Sequence, residues 1–297
     1  MTVAVVTDST AYLPEDVVER HGIEVVPLHV IVGGRDHVEG RDVTAEQVAD
    51  ALRHYTIVTT SRPTPQAFAD TYQRLADGGA TAIVSIHLSS QMSGTLEAAR
   101  LAAADAVIPV EVVDSGTIGM AMGYAVVTAA ELAAQGESVD AAAVVAAARA
   151  RLEISGVLFY VDTLEHLRRG GRIGAASALL GSALAIKPIL AVRGGRITPV
   201  EKVRTSSRAI ARIVAIAVER VRAGGLVVDI AVHHLDAKGR AEQIATELRR
   251  AVPGSPRVVI VELGAVVGAH VGPGTVAIAL APRPGEPLPD PTEVPAP

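Results

Sequence analysis

Three segments of the chain set hydroxyl groups beside backbone that a small acid could approach. Thr59-Thr60-Ser61-Arg62-Pro63-Thr64-Pro65 places hydroxyls ahead of two prolines, which hold the chain extended and then let a helix begin at Gln66. Its hydroxyls and free amides face one spot, and Thr64 also reads as a plain helix cap. His87-Leu88-Ser89-Ser90-Gln91-Met92-Ser93-Gly94-Thr95 follows a strand ending near residue 86 and precedes an Ala-rich helix, the place where α/β folds bind ligands. There Ser93 supplies a hydroxyl and Gly94 an open backbone N–H at a helix start, a combination suited to a carboxylate or phosphate, with capping as the alternative. In Gly268-Ala269-His270-Val271-Gly272-Pro273-Gly274-Thr275 a single histidine sits in what reads as a glycine-bounded turn between strands. His270 can donate a hydrogen bond to an acid there, or be a satisfied or surface histidine.

Two further segments have a phosphate-like look: Leu167-Arg168-Arg169-Gly170-Gly171-Arg172-Ile173-Gly174 and Glu201-Lys202-Val203-Arg204-Thr205. Neither is a P-loop, because the Gly-Lys-Ser/Thr ending is missing, and a helix cap followed by solvated arginines explains the first as well. Arg204 follows an apolar run and precedes a polar helix start. Asp114-Ser115-Gly116-Thr117 spells an aspartic-protease signature, but that chemistry needs two carboxylates and the chain has no second copy. No Gly-x-Ser-x-Gly elbow occurs, which weakens a hydrolase reading. His233 and His234 are neighbours on a strand, so they point to opposite faces and cannot readily share a metal.

The elements that must position these groups follow from periodicity. Short β-branched runs at 3–7, 23–32, 82–86 and 110–113 alternate with amphipathic or Ala-rich segments at 14–20, 45–53 and 94–104, a βαβα rhythm. The strands are apolar enough for a covered parallel sheet. After two Ala-rich helices at 119–134 and 139–151, a new strand at 156–161 opens a second half. That half carries helices at 206–222 and 238–251 and strands at 226–232, 258–261 and 275–280. The expected fold is α/β: an N-terminal Rossmann-like parallel-sheet domain over 1–153 and a C-terminal α+β domain over 154–281. A Pro-rich tail at 282–297 is expected to be disordered.

Composition narrows the function classes. With 297 residues, 49% of them hydrophobic, the chain can bury a large core, and with 2% aromatics that core must be filled by small and branched aliphatics. Such walls suit an apolar tunnel. The net charge of −5 is unclustered, so no nucleic-acid footprint stands out. The absence of cysteine removes disulfides, thiolate nucleophiles and cysteine metal sites. The first residues read as a core strand rather than a signal peptide, no stretch reaches the ~20 apolar residues of a membrane span, and a cytoplasmic protein without stable membrane insertion is expected.

Read in order, Thr7-Asp8-Ser9-Thr10-Ala11-Tyr12-Leu13-Pro14, Thr60-Ser61-Arg62-Pro63, Leu88 to Thr95, Asp114-Ser115, Gly170-Gly171-Arg172-Ile173, Lys187-Pro188-Ile189-Leu190, Glu201 to Thr205 and His270-Val271-Gly272-Pro273-Gly274 resemble the DegV family over about residues 1–280. The resemblance implies a two-domain fold holding one long-chain fatty acid, its carboxylate met by Ser61, Thr60, Ser93 and Gly94 with His270 beside it. It implies no cofactor, and a lipid-binding protein rather than an enzyme, which presents the fatty acid to a separate ATP-dependent fatty acid kinase for phospholipid synthesis. Arg204 and Arg172 would lie near the head group or that kinase. The family's commoner Thr-Ser-Gln-Pro is Thr-Ser-Arg-Pro here, which adds a cation at Arg62. Two other readings are an esterase or thioesterase using Ser93 and His270, and a stand-alone storage or regulatory protein.

Overall fold

The computed structural model describes residues 2–136, 138–179, 186–254 and 256–287. In the N-terminal half, β1 (Val3–Asp8), α1 (Glu15–His21), β2 (Glu24–Val26), β3 (His29–Val32), β4 (Arg35–Val38), α2 (Ala45–Arg53) and β5 (Val58–Ser61) come first. They are followed by α3 (Pro65–Asp77), β6 (Ala82–His87), α4 (Thr95–Ala104), β7 (Val110–Asp114), α5 (Met120–Ala133) and α6 (Ala141–Ile154). The C-terminal half contains β8 (Gly156–Tyr160), α7 (Glu165–Arg169), β9 (Lys187–Arg193), β10 (Arg196–Val203) and α8 (Ser206–Gly224). It ends with β11 (Leu226–His234), α9 (Lys238–Ala251), β12 (Val258–Glu262), α10 (Ala265–Val271) and β13 (Val276–Pro287).

The expected α/β half is a parallel sheet in the order β2-β1-β6-β7. All six residues of β6 are buried, as a central strand covered on both faces requires. The expected α+β half is built on a six-stranded sheet, β10-β9-β8-β13-β11-β12, antiparallel except where β12 runs beside β11. Each half has its own core, around Val5, Val84, Ile86 and Val126 in the first and Leu158, Ile213, Ile230 and Ile278 in the second. A third cluster joins them, with Met120 and Ala121 packed among Phe159, Leu190, Leu235, Leu263 and Val271.

Three local expectations are corrected. The run at 23–32 is not one strand: it breaks around Pro27 and Leu28, so that β2 joins the parallel sheet while β3 pairs with β4 and β5 in a small antiparallel sheet. Proline withholds the N–H that a central strand needs. His270 lies not in a turn but in the last turn of α10, which ends where Gly272 adopts φ +77°. Finally, β13 runs through residues 282–287, which the sequence reading assigned to a disordered tail. There it pairs on one side only, with β11, Val228 opposite Pro282 and Leu226 opposite Pro287 across a register shift. Residues 288–297, the rest of that tail, lie outside the described residues.

Candidate functional site

Where the small sheet meets the two halves, a cavity of about 290 Å³ is walled by Leu28, Leu88, Ile118, Val157, Phe159, Leu167, Val192, Ile197, Leu263, Val266, Val267 and Val271. At one place this wall turns polar: Thr60, Ser61, Arg62, Ser93, Gly94, Arg172 and His270 all line it. They come from four separate stretches of the chain, residues 60–62, 93–94, 172 and 270, so the polar end exists only once the whole chain has folded.

Strand β5 delivers Thr60 and Ser61 through its pairing with β3, Val30 opposite Thr60 and His29 opposite Ser61. The loop between β6 and α4 delivers Ser93 and Gly94. That loop is anchored at its root by the buried Asp8, which accepts from His87 Nδ1 and from the Leu88 backbone N–H, each at 3.0 Å. His87 Nε2 lies 2.7 Å from Ser85 Oγ. Further along, Ser89 Oγ donates to the Gly195 carbonyl in the β9–β10 turn at 2.8 Å, fixing the loop to the other half of the molecule. Ser93 Oγ accepts from the Thr95 N–H at 3.3 Å and lies 2.9 Å from Thr95 Oγ1. Either hydroxyl can donate in that pair, and when Thr95 does so the Ser93 hydrogen is free for an acid. Gly94 caps α4.

His270 Nε2 stands 2.8 Å from Thr60 Oγ1. Burial, aided by the neighbouring Arg172 charge, lowers its pKa to about 4, so the ring is neutral at pH 7. Its Nδ1 is buried and has no hydrogen-bond partner among the described residues. A Cβ at Gly170 would collide with that same atom, so Gly170 makes the room in which the imidazole sits. Arg172 donates from Nε to the Met92 carbonyl at 3.0 Å and from Nη1 to the Gly170 carbonyl at 2.6 Å. It thereby ties the Ser93 loop to the segment facing His270. Arg62 lies across Gly94, donating to its carbonyl at 3.4 Å, and a side chain at position 94 would collide with its guanidinium. The Arg62 charge therefore stands over the polar end of the cavity.

Of the residues singled out in the sequence, Thr60, Ser61, Ser93, Gly94, Arg172 and His270 are brought together. Arg204 is not: it is exposed at the end of β10 and does not line the cavity. The two adjacent histidines do part company. His233 faces the cavity, accepting from the Met120 N–H at 3.0 Å, with burial lowering its pKa to about 4, while His234 lies 4.0 Å from Glu262. Tyr12, which also lines the cavity, stands inside a motif that the sequence reading quoted without giving it a role. Among the described residues no cluster of three or more His, Asp or Glu could hold a metal ion, and no helix is long and apolar enough to cross a membrane.

This arrangement defines a class: a two-domain α/β protein with an apolar cavity that ends in hydroxyls, a neutral imidazole and a guanidinium. The model of the family described as "Uncharacterised protein, DegV family" matches residues 2–283. A DegV domain-containing protein of Streptomyces coelicolor is 54% identical over 281 residues, 95% of this chain and 99% of its own length. Among solved structures, a fatty-acid-binding DegV family protein from Thermus thermophilus superposes with a TM-score of 0.88 at 32% identity. The alignment covers 95% of this chain and all of that one. DegV from Bacillus subtilis, described as a fatty acid binding protein, gives 0.87 at 34% identity with the same coverage. The chain belongs to the DegV family.

Proposed function

We propose that this protein binds one long-chain fatty acid and presents its carboxylate to a separate ATP-dependent kinase. The observation that carries the reading is the single cavity that is apolar along its walls and lined at one place by Thr60, Ser61, Ser93, Arg172 and His270. The Thermus and Bacillus relatives are described as fatty acid binders, and the reading extends that ligand to this chain.

Each methylene taken from water contributes ~0.8 kcal/mol, so an acyl tail of about fifteen methylenes gains roughly 12 kcal/mol before the costs of ordering. The tail supplies affinity. A carboxylate buried without donors would be strongly penalised, and the hydroxyls of Ser61 and Ser93, the guanidinium of Arg172 and the Thr60–His270 pair are the donors at hand. The head group supplies orientation.

In the kinase step a carboxylate oxygen attacks the γ-phosphorus of ATP, forming the acyl phosphate as the bond to ADP breaks. This chain's residues hold the nucleophile for that step. Arg204, exposed just after β10, is assigned to contact with the kinase. An esterase reading is disfavoured because His270 Nε2 is engaged by Thr60, Nδ1 meets no carboxylate, and a base with its pKa near 4 is a weak one.

Native mass spectrometry of the purified protein, followed by denaturing extraction, tests the binding class. A stoichiometric fatty acid is expected. An empty protein that also refuses added fatty acids overturns the reading. The Ser61→Ala/Ser93→Ala double variant should retain less ligand and support less acyl-phosphate formation when a cognate kinase and ATP are supplied. Unchanged retention and turnover would remove these hydroxyls from the site.

A further inference from the structure

Beside the acyl cavity lies a second, open pocket of about 800 Å³, lined among others by Leu13, Pro14, Val18, Val25, Val43 and Ala265. Among the described residues, Tyr12 alone lines both. Its ring is thus the partition between them, and the way it is held shows a built feature rather than a side chain that happens to fall there.

Tyr12 closes the short 3-10 turn Ser9–Ala11 in the left-handed region, at φ +51°, where a bulky side chain is uncommon. The hydroxyl is fixed from two directions. It accepts from the Val267 N–H in the first turn of α10 at 3.2 Å and faces Glu39 Oε1 at 3.5 Å. Glu39 in turn accepts from the Val266 N–H at 2.8 Å and from Ser9 Oγ at 2.5 Å. Gly264 gives the room: a Cβ there would strike both Glu39 and the edge of the Tyr12 ring. On the cavity side the ring meets His233 edge-on, with centroids 6.1 Å apart.

None of these contacts involves Thr60, Ser61, Ser93, Arg172 or His270, the groups assigned to the carboxylate. The Tyr12 oxygen is committed to Val267 and Glu39, and His233 Nε2 is committed to Met120. The two rings therefore offer mainly carbon to whatever fills the cavity. Beyond Tyr12 the second pocket carries an apolar stretch of Leu13, Pro14, Val18, Val25, Val43 and Ala265 beside the acids Asp8, Glu15, Glu39 and Glu262, and Tyr12 is the side chain that faces both spaces.

We infer that Tyr12 is the specificity-determining stop of the acyl cavity, setting the longest fatty acid the protein accepts. The inference rests on the fatty-acid reading above. Competition binding to the full chain, using a saturated series from myristic to behenic acid, tests it in the wild type, Tyr12→Gly and Tyr12→Phe. Glycine suits the left-handed backbone while removing the ring; phenylalanine keeps the ring without the hydroxyl. Tyr12→Gly should move the preferred length up by about two methylenes or more and tighten the longest acids about tenfold, while Tyr12→Phe keeps the wild-type preference. A Tyr12→Gly protein with the wild-type preference overturns the stop.

Should Tyr12→Gly fail to fold, the wild type answers directly through a fatty acid carrying a diazirine at its methyl end. Photolabelling is expected on Tyr12, His233 or Leu263. Labelling confined to Val192 and Ile197 would overturn the assignment. A wild type that takes up no acid of any length sinks the fatty-acid reading itself, whereas normal uptake with unaltered selectivity sinks only the stop.

Discussion

Thr60 Oγ1 and His270 Nε2 meet at 2.8 Å although 210 positions separate them in the chain. The contact joins the edge of the small antiparallel sheet to the last turn of α10. It fixes an imidazole that burial keeps neutral, so the pair can pass a hydrogen bond to a carboxylate without carrying charge of its own. Thr60→Val keeps the shape of the side chain but strands the ring nitrogen. Fatty acid affinity should fall about tenfold, the equivalent of one hydrogen bond to a charged group. Isothermal titration with oleate checks this; an affinity within about twofold of the wild type would show that the pair is structural only.

Gly170 offers a probe that removes no donor from the cavity and adds no backbone strain. Its φ is −73°, which alanine adopts freely, yet the added methyl would collide with His270 Nδ1. Gly170→Ala should therefore displace the imidazole and weaken fatty acid binding by about tenfold or more. Far-ultraviolet circular dichroism should remain that of the wild type. If oleate binds the variant as before, His270 does not help to hold the carboxylate.

Much of this architecture could be read from the residues because burial on both faces leaves a plain apolar run, as at β6, and because alanine, the strongest helix former, fills the runs that become α5 and α6. The run at 23–32 misled because β2 and β3 have the same β-rich composition, and only Pro27 and Leu28 mark that they serve different sheets. His270 was placed in a turn because the glycines of its segment outweighed a helix of just seven residues. The hydroxyls of the site stand out in the sequence as helix caps and as candidate anion ligands, and the fold brings Thr60, Ser61 and Ser93 to one cavity. Tyr12 does not stand out in that way, since its role arises from a contact with Val267 that is 255 positions away. Arg204 keeps its sequence motif but does not line the cavity, so of the two places the resemblance implied for it, head group or kinase, contact with the kinase is the one left to test.

His270 and His233 both lose basicity on folding, to pKa values of about 4 from 6.5, with burial the chief cause in each. Between those values the unfolded chain binds the protons and the folded chain does not, so stability falls as the pH drops from about 6.5 towards 4. Glu39, whose pKa burial raises, acts in the opposite sense and softens the fall as it takes up its own proton. Within the window each histidine contributes a slope of ~1.4 kcal/mol per pH unit. Urea unfolding of ligand-free protein at a series of pH values should show the loss, and His270→Gln should remove a substantial share of it. An unaltered slope in that variant would mean that His270 is not held neutral by the fold.

The two halves are tied by a charge cluster that the ligand does not touch. Arg151 at the end of α6 donates from Nη2 to Asp229 Oδ2 on β11 at 2.6 Å and to the Ala281 carbonyl on β13 at 2.8 Å, with both charged side chains nearly inaccessible. Arg283 holds the other face of Asp229 at 2.8 and 2.9 Å, and together the two guanidinium groups lower its pKa against the cost of burial. Arg151→Ala takes a donor from the Ala281 carbonyl and leaves a buried carboxylate with one cation instead of two, so unfolding free energy should drop by about 3 kcal/mol. Because the lost contacts cross from one domain to the other, the loss should appear as a split urea transition in which the halves unfold at different midpoints. Arg151→Met should recover little of it, since a thioether fills space but offers Asp229 no proton. A single transition with a loss under about 1 kcal/mol would show that Arg283 alone satisfies Asp229 and that the apolar cluster around Met120 and Phe159 suffices to hold the halves together.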